Sequence, residues 1–145
     1  MHGENNAGRV NPREKYHVDR VREAAGAVLT FDDMTFTCRS ATDANRGFKY
    51  ALSIAAWKRR NEIKNTDATA FDVHESLVIE AFADAVVLAW SGVDDDKGEP
   101  IPFSRDACIS LFEDCPKIWA AVREFAQDDS KYRPVREDGE TLGKS

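Results

Sequence analysis

The sequence predicts an α+β fold, mostly α-helical, in which an N-terminal β-hairpin is followed by about four helices. Three observations predict it. Met34-Thr35-Phe36-Thr37-Cys38 alternates apolar and polar residues with the period of two that marks a half-buried strand. Phe48, Ala51, Leu52 and Ala55 recur at the spacing of one helix face, and Leu77 to Trp90 is apolar on nearly all sides, as a helix at the centre of a domain must be. A chain of 145 residues, 42% hydrophobic and 32% charged, has enough material for one core and too little for two ordinary ones. That domain is expected over residues 26–127, between a flexible arm (1–25) and a charged flexible tail (128–145) that docks at Tyr132.

The elements follow in order. Tyr16 to Ala25 has the material for a short helix within the arm. Over Ala27 to Cys38, a two-residue turn at Asp32-Asp33 sets Phe31 opposite Met34, Leu29 opposite Phe36 and Ala27 opposite Cys38. Every apolar side chain except Val28 then shares one face. The first long helix is expected from an N-cap at Thr42 or Asp43, with Tyr50, Ile54 and Trp57 widening its buried stripe and Lys58-Arg59-Arg60 at its C-terminus. After a loop at Asn65, Thr66 and Asp67, a second helix is read from Thr69, capped with Asp72 as a capping box, through to Trp90 and stopped by Gly92. Residues 93–103 read as a loop. Ser104 then caps a short helix bearing Cys108, Leu111 and Phe112, and Pro116 opens a last one with Ile118, Trp119, Val122, Phe125 and Ala126 on its buried stripe.

Composition weighs against several function classes. A net charge of −6 disfavours a protein whose affinity rests on neutralising nucleic-acid phosphates. The Leu77 to Trp90 run is too short to span a bilayer and is broken by Glu80 and Asp84. The N-terminus carries no signal-peptide stretch, so a cytosolic chain is expected. Cys38, Cys108 and Cys115 lack CxxC spacing and read as reduced core thiols.

No catalytic, cofactor-binding or metal-binding residue emerges. Counting a calcium loop from Asp94 puts Gly98 fifth instead of sixth and Arg105 where a bidentate glutamate is needed. His74-Glu75 begins a helical zinc motif, but Val78 stands where the second histidine belongs. His2 and His17 fall in the arm, away from any nucleophile held on a rigid element. Glu80 and Asp84 share a face at i, i+4 and read either as an acid-base pair or as the solvent rim of a buried helix. The second reading needs no substrate, and an enzyme is not expected. Charge is segregated along the chain: residues 39–64 hold seven Lys or Arg against two acids, and residues 65–100 hold one Lys against nine acids. Lys58, Arg59 and Arg60 therefore read as a helix-end dipole complement or as the electrostatic rim of a two-signed contact surface.

The stretch Trp90-Ser91-Gly92-Val93-Asp94-Asp95-Asp96-Lys97-Gly98-Glu99-Pro100-Ile101-Pro102-Phe103-Ser104 resembles the W-x-G-V-x-D-x-x-G-x-P-x-P-F-S signature of tail assembly chaperones of long-tailed bacteriophages. Ala44-Asn45-Arg46-Gly47-Phe48 is similar to that family's Asn-x-x-aromatic helix start, and Tyr132-Arg133 with the acidic tail fits as well. The resemblance runs from Thr35 to Ser145. It implies a non-enzymatic chaperone of the host bacterial cytoplasm, absent from the mature virion, that binds the helix-rich tape measure protein and keeps it soluble until the tail tube forms. A longer frameshifted form would engage the major tail tube protein, and self-association is compatible with the reading. Its candidate partner-binding loop is Trp90, Gly92, Val93, Asp94, Gly98, Pro100, Pro102, Phe103 and Ser104; each of these also has a plain role in holding a loop to a core. The alternatives are a small helical DNA-binding regulator or a structural head or tail component.

Overall fold

The computed structural model describes residues 11–63 and 68–134. The fold is α+β and mostly helical. Two short helices, α1 (Pro12–Tyr16) and α2 (Arg20–Ala25), precede a hairpin of β1 (Ala27–Phe31) and β2 (Met34–Cys38). Helices α3 (Arg46–Lys58), α4 (Arg60–Ile63) and α5 (Ala68–Ala85) follow, then β3 (Val87–Ser91), α6 (Arg105–Asp114), α7 (Pro116–Ala126) and a 3-10 turn at Asp129–Tyr132.

The hairpin has the expected register, with Ala27 opposite Cys38, Leu29 opposite Phe36 and Phe31 opposite Met34. Asp32 takes the positive φ of 52° that the tight turn demands. The sheet is larger than a hairpin, however. β3 pairs antiparallel with β2, setting Trp90 opposite Phe36, and makes a three-stranded sheet in the order β1-β2-β3. The helix expected to reach Trp90 therefore ends at Ala85, and Gly92 closes a strand instead of a helix. Periodicity cannot separate helix from buried strand in a short, uniformly apolar run. The unpaired edge of β2 and the bulky residues from Val86 to Trp90 decide it, because a strand there satisfies backbone groups on both elements.

Asn45 holds this switch in place. It is fully buried, and its side chain caps α3 by accepting from the Phe48 amide at 3.3 Å while donating to the Ala85 carbonyl at 2.9 Å. The cap expected at Thr42 or Asp43 thus lies at Asn45. Thr42 works upstream instead, with its hydroxyl accepting from the Ala44 amide. At the start of α5 the helix begins at Ala68, so Thr69 is inside it and is not its cap; the Thr69 side chain and the loop at Asn65 to Asp67 lie outside the described residues.

Helix α5 runs through the centre of the domain, burying Leu77, Val78, Ile79, Ala81, Phe82 and Ala83. Around it stands an aromatic core: Phe82 meets Phe48 edge-on at 5.3 Å and Trp119 edge-on at 4.7 Å, and Phe112 packs on Trp119 at 5.2 Å. Cys38 and Cys108 are buried there and desolvation pushes both thiols up to about 12, so both stay protonated. Cys115 is half-buried, outside that core.

The expected arm is docked from Asp19 onward. Glu23, 3% exposed, accepts from Arg39 Nη2 at 2.7 Å, Arg39 Nε at 3.1 Å and the Ser40 amide at 3.0 Å. The tail is held at the expected anchor, since the Tyr132 hydroxyl donates to the Cys38 carbonyl and the Asp19 amide donates to the Tyr132 carbonyl, both at 3.0 Å. The two ends of the described chain are thus fastened to each other at the end of β2. Sequence periodicity could not show this, because these five hydrogen bonds carry it and no apolar stripe does.

Two outcomes are expected. Asn45→Ala removes a cap and leaves the partly buried Ala85 carbonyl without its donor, and should lower unfolding free energy by about 2 kcal/mol in urea titration. Glu75 accepts from Trp119 Nε1 at 2.6 Å and Arg123 Nη1 at 2.8 Å; the Trp119 bond first, then the Arg123 charge, holds its carboxyl below the ordinary range. A carboxylate depressed by folding stabilises above its unfolded pKa and loses that contribution as pH falls through the folded value. Glu75→Gln should accordingly be less stable by about 1 kcal/mol at neutral pH, with the difference vanishing in melts below the carboxylate range.

Candidate functional site

The signature stretch folds as a second, smaller hairpin at the end of β3. Asp94 bridges Pro100, and the Ile101 amide donates to the Val93 carbonyl at 2.8 Å. Its tip is built by Asp95, whose carboxylate accepts from the amides of Lys97 at 2.8 Å and Glu99 at 2.9 Å while its own amide donates to the Glu99 carbonyl at 2.8 Å. Gly98 supplies the positive φ, 78°, that closes the turn. The aspartate of the signature is therefore Asp95; the candidate Asp94 stands in the strand-like bridge with an exposed side chain. The signature itself places its aspartate at that position, which is the signal that distinguishes it from its two neighbours.

The remaining signature residues fasten this hairpin to the core. Trp90 Nε1 donates to the Ile101 carbonyl at 2.8 Å, and its ring meets Phe103 edge-on at 5.1 Å and Phe36 at 6.2 Å. Val93 is buried, and Ser104 caps α6 by accepting from the Ala107 amide at 3.1 Å. Gly92 has a φ of 76°, and a Cβ there would collide with the Asp33 carbonyl oxygen of the first hairpin's turn. Pro100 and Pro102 are exposed. Between this hairpin and α6 lies an open cleft of about 590 Å³, with Trp90, Val93, Ile101 and Leu111 on its walls and Asp94, Asp95, Asp96 and Asp114 among its lining residues.

The basic helix end is divided between two roles. Arg59 Nη1 donates to Glu80 Oε2 and to the Ser76 hydroxyl, both at 2.8 Å, so it bolts the end of α3 to α5. Arg60 lies over Trp57, with its guanidinium carbon 3.9 Å from the ring centroid. Lys58 borders a groove of about 410 Å³ whose lining includes Tyr50, Ile54 and Leu88. Glu80 and Asp84, the candidate carboxylate pair, are engaged by arginines: Arg105 Nε donates to Asp84 at 2.6 Å, and Arg59 holds Glu80. Opposite charges far apart in sequence thus meet in the fold, so part of the segregated charge is neutralised internally.

Sequence reasoning placed Tyr50, Ile54 and Trp57 in the core, and the structure exposes them, at 70%, 37% and 65%. Phe48 and Ala55 face α5, whereas these three sit on the opposite side of α3 at i, i+4 and i+7. A spacing of that kind defines a stripe of its own, which is the signal that distinguishes a second face from a widened first one.

Among the described residues no group of three or more His, Cys, Asp or Glu is arranged to hold a metal ion, and no helix is long and apolar enough to cross a membrane. What the geometry defines is a small α+β domain with a rigid acidic hairpin and an exposed aromatic helix face. The YdaY prophage protein family matches residues 44–144, and the chain belongs to that family, which makes it a phage-derived protein. The match starts one residue before Asn45 and includes the whole signature hairpin. No curated protein matches the chain, and no solved structure does.

Asp95→Ala should remove the carboxylate oxygen that accepts both bonds at the hairpin tip, so the Lys97 and Glu99 amides should exchange faster with solvent, at a stability loss of about 1 kcal/mol. Asp94→Ala, which leaves the Asp95 carboxylate in place, should leave those amides protected.

Proposed function

We propose that this prophage protein is a non-enzymatic tail assembly chaperone that binds the tape measure protein and keeps it soluble during tail assembly. The observation that carries the reading is the signature from Trp90 to Ser104 within a member of a prophage protein family. Supporting it is an uncovered aromatic helix face on a strongly charged domain, which is what a protein needs in order to bind an aggregation-prone helix while staying soluble itself. On this reading the protein acts in the host bacterial cytoplasm and is left out of the mature virion. A longer frameshifted product would reach the major tail tube protein.

The DNA-binding alternative loses Arg59, whose guanidinium already serves Glu80 and Ser76. A tape measure fragment that is insoluble when expressed alone should become soluble when co-expressed with the full-length chain. Equal insolubility with and without the chain, for every fragment, would refute the proposal. Salt-dependent retention on duplex DNA would favour the regulator, and presence in finished particles the structural component.

A further inference from the structure

The outer face of α3 is an apolar strip laid between cations. Tyr50, Ile54 and Trp57 line it along the helix, and Leu88 of β3, 43% exposed, extends it across the adjoining groove. Lys49 and Arg46 flank one side, Lys58 the other, and Arg60 is stacked on Trp57 at the helix end. Among the described residues the carboxylates at its edge are engaged, Glu80 by Arg59, Asp84 by Arg105 and Asp43 by Lys49 at 3.3 Å, so the positive sign of the border comes from Arg46, Lys58 and Arg60. The strip therefore presents a positive border in a protein whose overall charge is −6.

We propose that this face of α3 is the docking surface for a helix of another protein that is apolar along one side and acidic along its flanks. The inference rests on the chaperone reading only in taking the partner to be the protein that is kept soluble; the chemistry comes from the surface. Stripes at i, i+4 and i+7 are the contacts by which one helix receives another, and a cationic border selects acidic flanks. A second copy of this chain docked through the same face would bring Lys58 and Arg60 of both copies together, and like charges at such a contact repel. Nucleic acid would use the cations and leave Ile54 and Leu88 without a role. Arg60, held over Trp57 at 3.9 Å, stands ready to pair with an incoming carboxylate without leaving the ring.

The probes are two designed helical peptides with the same leucine stripe, one flanked by Glu and the other by Lys, titrated against the full-length chain. The Glu-flanked peptide should bind, with affinity that falls as salt rises, and the Lys-flanked peptide should bind at least about tenfold more weakly. Tyr50→Ser with Ile54→Ser should weaken the Glu-flanked peptide by at least about tenfold while circular dichroism shows the fold retained, Tyr50 being 70% and Ile54 37% exposed. Trp57 fluorescence should shift on binding, and the shift should disappear in Trp57→Phe. Equal binding of the two peptides, no binding of either, or undiminished binding by the double variant would overturn the proposal. So would duplex DNA competing for the same face, or a dimer in sedimentation that Ile54→Glu disperses. If the peptides fail and a tape measure fragment is still solubilised, the surface assignment falls and the chaperone reading stands. If the peptides bind as expected and no fragment is solubilised, the reading falls and the surface stands.

Discussion

The architecture depends on how one apolar run is divided between a helix and a strand. Helix α5 has its last backbone bond from the Val86 amide to the Phe82 carbonyl, and one residue later the chain is paired with β2. A helix end inside a core leaves carbonyls that must find donors. Asn45 supplies one of them, from a loop that has to be in place for α3 to start. The same side chain therefore ends α5, begins α3 and sets the distance between them. The Arg39 amide, donating to the Val86 carbonyl, fixes the other side of the junction. Once that junction is fixed, β3 completes the sheet, and its final residue delivers the chain to the signature hairpin.

Electrostatics reinforce this arrangement more than they advertise a partner. Charges far apart in sequence are brought together in space: Arg59, from the basic stretch, meets Glu80, Arg105 meets Asp84 and Glu80, and Arg123 meets Glu75. These pairs are partly exposed, and individually such pairs contribute little. Their arrangement matters for specificity, because each ties a flanking helix to α5. The buried Glu23 is different in kind. Its carboxylate takes three donors, and it holds the N-terminal helix where the Tyr132 contacts hold the C-terminal turn.

The signature hairpin shows how a recognisable motif and a binding surface part company. Most of its named residues face inward or cap: Trp90 and Phe103 clamp the hairpin to Phe36, Val93 is buried, Ser104 begins α6, and Asp95 with Gly98 shapes the tip. Its exposed elements are the acidic tip and the two prolines. The uncovered apolar surface lies elsewhere, on the outer face of α3, where Tyr50, Ile54 and Trp57 belong to neither quoted motif. A motif of this sort identifies a scaffold through its folding requirements.

By itself the sequence determined the α+β class, the hairpin with its register, the capping of α6 by Ser104, the proline opening of α7 and the burial of α5. In each case a local rule is enough: alternation, helical spacing or the chemistry of a cap. It also carried the resemblance at Trp90 to Ser104, because glycines, prolines and aromatics at fixed offsets survive as a pattern. Only the tertiary structure decided that Val87 to Ser91 is a strand, since a uniformly apolar segment satisfies either element and the choice falls to the partner beside it. It alone showed that Asn45 caps α3, because a buried polar group is justified by an acceptor forty residues away at Ala85. The exposure of Tyr50, Ile54 and Trp57 was likewise beyond the reach of composition. An apolar residue on a helix is inside only if something covers that face, and α5 covers just one side of α3.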